Sequence, residues 1–118
     1  GPILEEVLQG LKSIGVGLTD SGFMILRPDK KIAFLNTLME ELTGLHNHNS
    51  EGQEVTAVAR DQAFVALVDD LVGKVCMSHG QPITEDFEFS GSPFKVTATG
   101  ISACGVVKAI SLVAVRNG

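Results

Sequence analysis

Residues 22–45, GFMILRPDKKIAFLNTLMEELTGL, constrain this chain more than any other stretch. Two short apolar runs, residues 23–26 and 32–35, flank Arg27-Pro28-Asp29-Lys30. Pro presets one backbone angle of a turn and Asp accepts local backbone hydrogen bonds, so this composition predicts a β-hairpin. Asn36 and Thr37 then stop the second strand and open a helix, with Thr37 and Glu40 spaced for a capping box. Leu38, Met39, Leu42 and Leu45 keep one face of that helix apolar. A hairpin that hands its chain directly to a capped helix leaves few architectures open.

Upstream, residues 3–14 read as an amphipathic helix that frays at Gly15 and Gly17. Leu4, Val7, Leu11 and Ile14 recur at a and d spacing, Ile3 and Leu8 widen the stripe, and Glu5 and Glu6 favour the first turn. So short a helix is marginal alone, so its stripe needs burial against its own domain or against a second copy. Thr19-Asp20-Ser21-Gly22 reads as a turn that feeds the first strand.

Downstream of the hairpin and helix, residues 44–52 read as a polar surface loop, and residues 53–58 hold one helical turn. Residues 61–77 predict the longest helix, with Phe64, Val68, Leu71 and Val75 on its apolar stripe and Asp69, Asp70 and Lys74 on its wet side. Gly80 suits a left-handed cap, and Pro82 forbids continuation. Three strands follow. Phe87 and Phe89 alternate with Asp86 and Glu88, then Phe94, Val96 and Ala98 alternate with Lys95, Thr97 and Thr99. The last strand, residues 106–115, is apolar on both sides, which predicts a central place or a cover on its second face. The order helix, β, β, short helices, long helix, β, β, β fits an α+β fold: a five-stranded antiparallel sheet with helices packed on one face. The N-terminal helix or another subunit then covers the other face.

Net charge is −5 and Lys30-Lys31 is only a hairpin flank, which excludes a phosphate-backbone binder and so nucleic acid. With 118 residues and 44% apolar content the chain folds as one core without staples. Cys76 and Cys104 lack metal or redox spacing and read as free thiols of a reducing, cytoplasmic compartment, Cys76 partly buried. No apolar run reaches the roughly 18 residues of a membrane span, so no direct membrane contact of this segment is expected, whether or not the parent protein is anchored. Residues 1–2 read as the scar of a cleaved expression tag, residues 3–17 as a flanking and dimerisation helix, and residues 18–118 as the domain proper.

This order, with GFMILRPDKKIAFLN at its head, LMEELTG after it, Gly52-Gln53 before the next helix, and FEFSGSPFKVTATGI and VVKAISLVAVRN at the end, resembles the PAS domain. The resemblance spans residues 22–116. It implies strand order 2-1-5-4-3 and an N-terminal helix that pairs in dimers. It also implies a non-catalytic sensory and dimerisation module of a histidine kinase, transcription regulator or cyclic-dinucleotide enzyme, passing a signal to an output domain of the same chain. The alternative is a ligand-free module that binds a heterologous partner through its sheet face. Lys30 stands where many members carry Gly, which points to a turn that needs none. The flavin photoreceptors' cysteine motif is missing from GLHNHNSEGQEV, and the long helix holds no histidine for haem, so neither cofactor is expected.

Implied by the same fold is a place for an unidentified small molecule between sheet and helices, lined by Ile25, Phe34, Leu38, Leu42, Phe64, Leu67, Leu71, Phe87, Val96 and Leu112. Those residues serve equally well as a packed core, which is the simpler reading. His46 and His48 lack further ligands for a metal and read as surface loop. Asp69-Asp70 and Glu85-Asp86 read as solvated face rather than as an acid and base pair. No nucleophile triad, P-loop or dinucleotide fingerprint is present, so no catalysis is expected.

Overall fold

A computed structural model describes residues 2–117, with side chains from Leu4 onward. Helix α1 (Pro2–Gly17) precedes the hairpin of β1 (Ser21–Leu26) and β2 (Ile32–Leu35). Helices α2 (Thr37–Thr43), α3 (Asn47–Ser50), α4 (Val55–Val58) and α5 (Gln62–Met77) follow, and β3 (Ile83–Phe89), β4 (Ser92–Ala103) and β5 (Val106–Arg116) close the chain. All pairings are antiparallel, in the order β2-β1-β5-β4-β3. Strand β5 is central, as its two apolar sides require. Helices α2 to α5 pack on one face over the main core, and α1 packs on the other.

Two bulges decide which side chains reach which face. Ile25 pairs with Phe34 but Leu26 with Ile32, so Ala33 is an extra residue in β2. An extra residue interrupts the alternation. Ala33 and Phe34 therefore both lie beneath α1, whereas Ile32 and Leu35 enter the main core. At the other end Ile101 pairs with Ala109 and Ser102 with Val107, which leaves Lys108 extra in β5. Val107 packs on the main core while Ala109 faces α1.

The end of α5 is tied to the sheet by two glycines. Gly80, at φ +91°, accepts the Gly100 N–H at 3.0 Å. A Cβ at Gly100 would sit 2.5 Å from Gly80 Cα, so only glycine permits this approach. The outer edge of β2 is covered by the chain before α4: Ile32 N donates to Gln53 O at 2.9 Å, and Gly52 N to Ile32 O at 2.7 Å. Residues 44–52 are therefore not a plain loop, since they contain the single turn of α3 and lead into this edge cover.

Three local expectations change. The helix cap is Asn36 rather than Thr37, because Asn36 Oδ1 accepts the Met39 N–H, while Glu40 Oε2 turns away to accept from Asn47 N at 2.8 Å. No Thr37–Glu40 capping box forms. Helix α1 does not fray at Gly15 but continues to Gly17, since Gly15 is buried against Phe23 and Phe34. Finally, the hairpin turn does need a left-handed residue: Lys30 adopts φ +69° despite its Cβ.

Candidate functional site

The junction where α1, the sheet and α2 meet is built around the buried side chain of Asn36. Its Nδ2 donates to Ser21 O at 2.9 Å, Gly15 O at 3.2 Å and Leu18 O at 3.3 Å. Its Oδ1 accepts from Phe23 N and Met39 N, both at 2.9 Å. Two amide protons and two lone pairs are the whole capacity of this side chain, and all are engaged. One residue thus caps α2, fixes the start of β1 and holds the end of α1.

Above this junction α1 lies on the sheet through buried Leu8 and partly buried Leu4 and Leu11, over Phe23, Ile25, Ala33, Phe34 and Ala109. Burying a leucine side chain contributes about 1.5–3 kcal/mol, enough to hold a helix that alone would be marginal. Gly15 allows close approach: a Cβ there would lie 2.4 Å from Phe23 Cδ2. The stripe Leu4, Val7, Leu11, Ile14 is consequently split. Leu4 and Leu11 face the sheet, whereas Val7 and Ile14 are 41% and 60% exposed, with Val16 at 71%.

The residues expected around a small molecule do not share one compartment. Phe64, Leu67, Leu71, Val96 and Leu112 are buried in the main core, and Leu42 and Phe87 pack against it. Ile25 and Phe34 lie on the opposite face under α1, a consequence of strand alternation and the Ala33 bulge. Leu38 is only half-buried and lines a groove with Val16, Leu18 and Glu41; Met39 takes the fully buried place beside it. Phe64, Phe87, Phe89 and Phe94 form a ring cluster with centroids 4.7–6.0 Å apart, and the Arg116 guanidinium lies 4.9 Å above Phe94. Sequence alternation located these rings individually, but their meeting depends on the helix–sheet packing.

The other candidates fall elsewhere. His46 and His48 stack at 5.7 Å on the surface. Among the described residues, no three His, Cys, Asp or Glu side chains converge as a metal site. Cys76 is exposed rather than partly buried, because it follows Val75 off the buried stripe, and Cys104 is exposed in the β4–β5 turn. Asp69, Asp70 and Asp86 are wet, whereas Glu85 alternates inward with Phe87 on β3, half-buried, with its Oε2 enclosed and without a partner among the described residues. Lys74 Nζ bridges Asp70 at 3.1 Å and Glu85 at 3.0 Å, Lys30 pairs with Asp69 at 2.9 Å, and Lys95 with Asp86 at 3.1 Å. The Asp70 carboxyl is held below the usual aspartate value, first by hydrogen bonding with Glu85 and then by Lys74. Lys74 is raised, first by Glu85 and then by Asp70. No helix among the described residues is long and apolar enough to cross a membrane.

No protein-family model and no curated protein matches the sequence. Solved structures do match in shape. The PAS domain of BvgS from Bordetella pertussis aligns with a TM-score of 0.76 at 13% identity, over 96% of this chain and 88% of that one. A sensory box sensor histidine kinase from Vibrio cholerae gives 0.70 at 11% identity, over 98% and 95%. The PAS domain of the Cronobacter turicensis quorum-sensing receptor RpfR, in complex with BDSF, gives 0.64 at 18% identity, over 86% and 97%.

Proposed function

We propose that this chain, which has the PAS-like fold, serves as a non-catalytic sensory and dimerisation module of a signal-transduction protein, a histidine kinase or a transcription regulator, and passes a signal to an output domain. The observation that carries this reading is the split stripe of α1. One side docks the helix to the sheet at Asn36 and Gly15, and the other leaves Val7, Ile14 and Val16 exposed for a second copy. A sensor histidine kinase among the structures of like fold supports the setting. Two exposed, unpaired thiols suit the cytoplasm. The module is read as holding neither haem nor flavin, since α5 offers no histidine and residues 44–55 no cysteine; a visible absorption band from the purified domain would count against that.

Analytical ultracentrifugation of the wild type and of Val7→Glu/Ile14→Glu tests the dimer. Both positions are exposed, so the fold is kept while the apolar surface is removed. The expected result is a dimeric wild type and a monomeric variant. Equal monomeric mass for both overturns the reading. It would favour a heterologous partner instead, for which the sheet offers the exposed Thr84–Thr97 and Asp86–Lys95 pairs that α1 leaves open.

A further inference from the structure

The sensory reading leaves its signal unnamed, and the inference drawn here rests on that reading. We propose that a surface cleft between α2, α3 and the α4–α5 connection binds a small molecule carrying an oxyanion, a carboxylate or a phosphate. The cleft measures about 530 Å³, within the range of small-molecule sites. Leu45 and Val58 give it an apolar floor that touches the main core, and Thr43, His46, Asn49, Ser50 and Arg60 form its polar lining. It lies outside the sheet–helix core that the alternation of apolar residues marks.

Among its side chains the lining offers free donors and has its hydroxyl and amide oxygens already engaged. Arg60 has no ion-pair or hydrogen-bond partner among the described residues, and neither has the Asn49 amide Nδ2. The acceptors are already committed. Thr43 Oγ1 accepts from Leu45 N at 3.2 Å while donating to Met39 O at 2.7 Å. Ser50 Oγ, in a residue 1% exposed, meets His46 N at 3.4 Å and Asn49 Oδ1 at 3.2 Å. Asp61, next to Arg60 in the chain, is spent on capping α5 through Ala63 N and Phe64 N. No Asp or Glu lines the cleft, in a chain that carries 14 of them. The Glu40 carboxylate lies 4.0 Å from His46 Nδ1 and is engaged with Asn47 N at 2.8 Å. A guanidinium fork beside an imidazole and an amide suits an oxyanion with several acceptor oxygens. A ligand held by Arg60 and His46 would tie the start of α5 to the α2–α3 segment.

The test is an amide-resolved NMR titration of the domain with succinate, with inorganic phosphate and with uncharged glycerol, repeated on Arg60→Gln and Arg60→Lys. Arg60 is exposed, and a melting curve of each variant checks that the fold is kept. The proposal expects saturable shifts at Leu45, His46, Asn49 and Ser50 with at least one anion and none with glycerol. Affinity should fall at least about tenfold in Arg60→Gln, because the charge-assisted pair is lost. Arg60→Lys should fall between. Saturation by succinate alone assigns a carboxylate ligand, and saturation by phosphate alone assigns a phosphate. Absence of saturation with both anions, or an unchanged midpoint in Arg60→Gln, overturns the site. The titration reads binding without dimerisation or output, so a monomeric wild type in the centrifuge would remove the dimer reading and leave this result standing.

Discussion

Asn36 Nδ2 donates to the main-chain carbonyl of Gly15 at 3.2 Å, across 21 positions of sequence, and so ties the end of α1 to the start of α2. The same side chain also caps α2 through Oδ1, which lets substitution separate the two roles. Asn36→Ala loses both. It leaves the Phe23 and Met39 N–H groups without their acceptor in a buried place, at about 1–3 kcal/mol for each such group. A loss of about 3–5 kcal/mol is expected in urea unfolding, and a loss under about 1 kcal/mol would refute the account.

Asn36→Asp keeps the acceptor for Met39 but presents an anion to the carbonyls of Gly15, Leu18 and Ser21. Its damage should therefore be local. Hydrogen exchange is expected to speed up in α1 and at the start of β1, while α2 keeps its protection. Equal acceleration in α1 and α2 would show that the junction works as one unit.

Two glycines of α1 should respond in opposite directions to alanine. Gly10 has open space around it, so Gly10→Ala should stabilise by about 0.5–1 kcal/mol through helix propensity. At Gly15 the new methyl would lie 2.4 Å from Phe23 and 2.8 Å from Phe34, rings that are already packed. Overpacking of that kind costs about 1–3 kcal/mol. Thermal melts of the two variants, expected on either side of wild type, check the close docking of α1; a Gly15→Ala protein as stable as wild type would contradict it.

The order of elements and the inward alternation of Phe94, Val96 and Ala98 were legible because strand and helix periods differ and β5 is apolar on both sides. Register was not. A single extra residue at Ala33 moves Phe34 to the far face, and nothing in IAFL distinguishes a bulged strand from a regular one. The helix cap slipped by one position for a similar reason: Asn36 and Thr37 are both good caps, and tertiary partners for the Asn amide decided between them. The donor-lined cleft was invisible, since Thr43, His46, Asn49 and Arg60 have no periodic relation and meet only through the turns between α2 and α5.

Lys30 holds a left-handed backbone, at φ +69°, where glycine would be unstrained. It also places its ammonium 2.9 Å from Asp69 on α5, an exposed pair worth at most about 1 kcal/mol. Strain and pairing are of similar size and opposite sign, as a left-handed L-residue costs about 1–2 kcal/mol. Lys30→Gly should then be near neutral, within roughly 0.5 kcal/mol of wild type. Lys30→Val keeps the strain, adds a β-branch and loses the pair, so it should be the less stable of the two by more than about 1 kcal/mol. Denaturant unfolding of both variants decides, and the reverse order would reject the balance.

The Asp70–Lys74–Glu85 cluster, which links α5 to β3, sets a pH dependence with a defined sign. Asp70 is lowered in the folded protein, so its contribution is present above the unfolded aspartate value, about 3.9, and is lost as pH falls through the folded value. Lys74 is raised, so its contribution is present below the unfolded lysine value, about 10.4, and is lost as pH rises through the folded one. Between those limits the cluster should contribute evenly. Asp70 and Lys74 lie at the surface and Glu85 is half-buried, so salt screens the Asp70–Lys74 attraction and the effect is small. Lys74→Met leaves two carboxyls facing each other and should flatten the alkaline loss while making the protein relatively more stable in acid, where those carboxyls are protonated. Urea midpoints measured from pH 3 to pH 11 in low and high salt provide the check. A Lys74→Met profile parallel to wild type throughout would show that the three side chains do not act together.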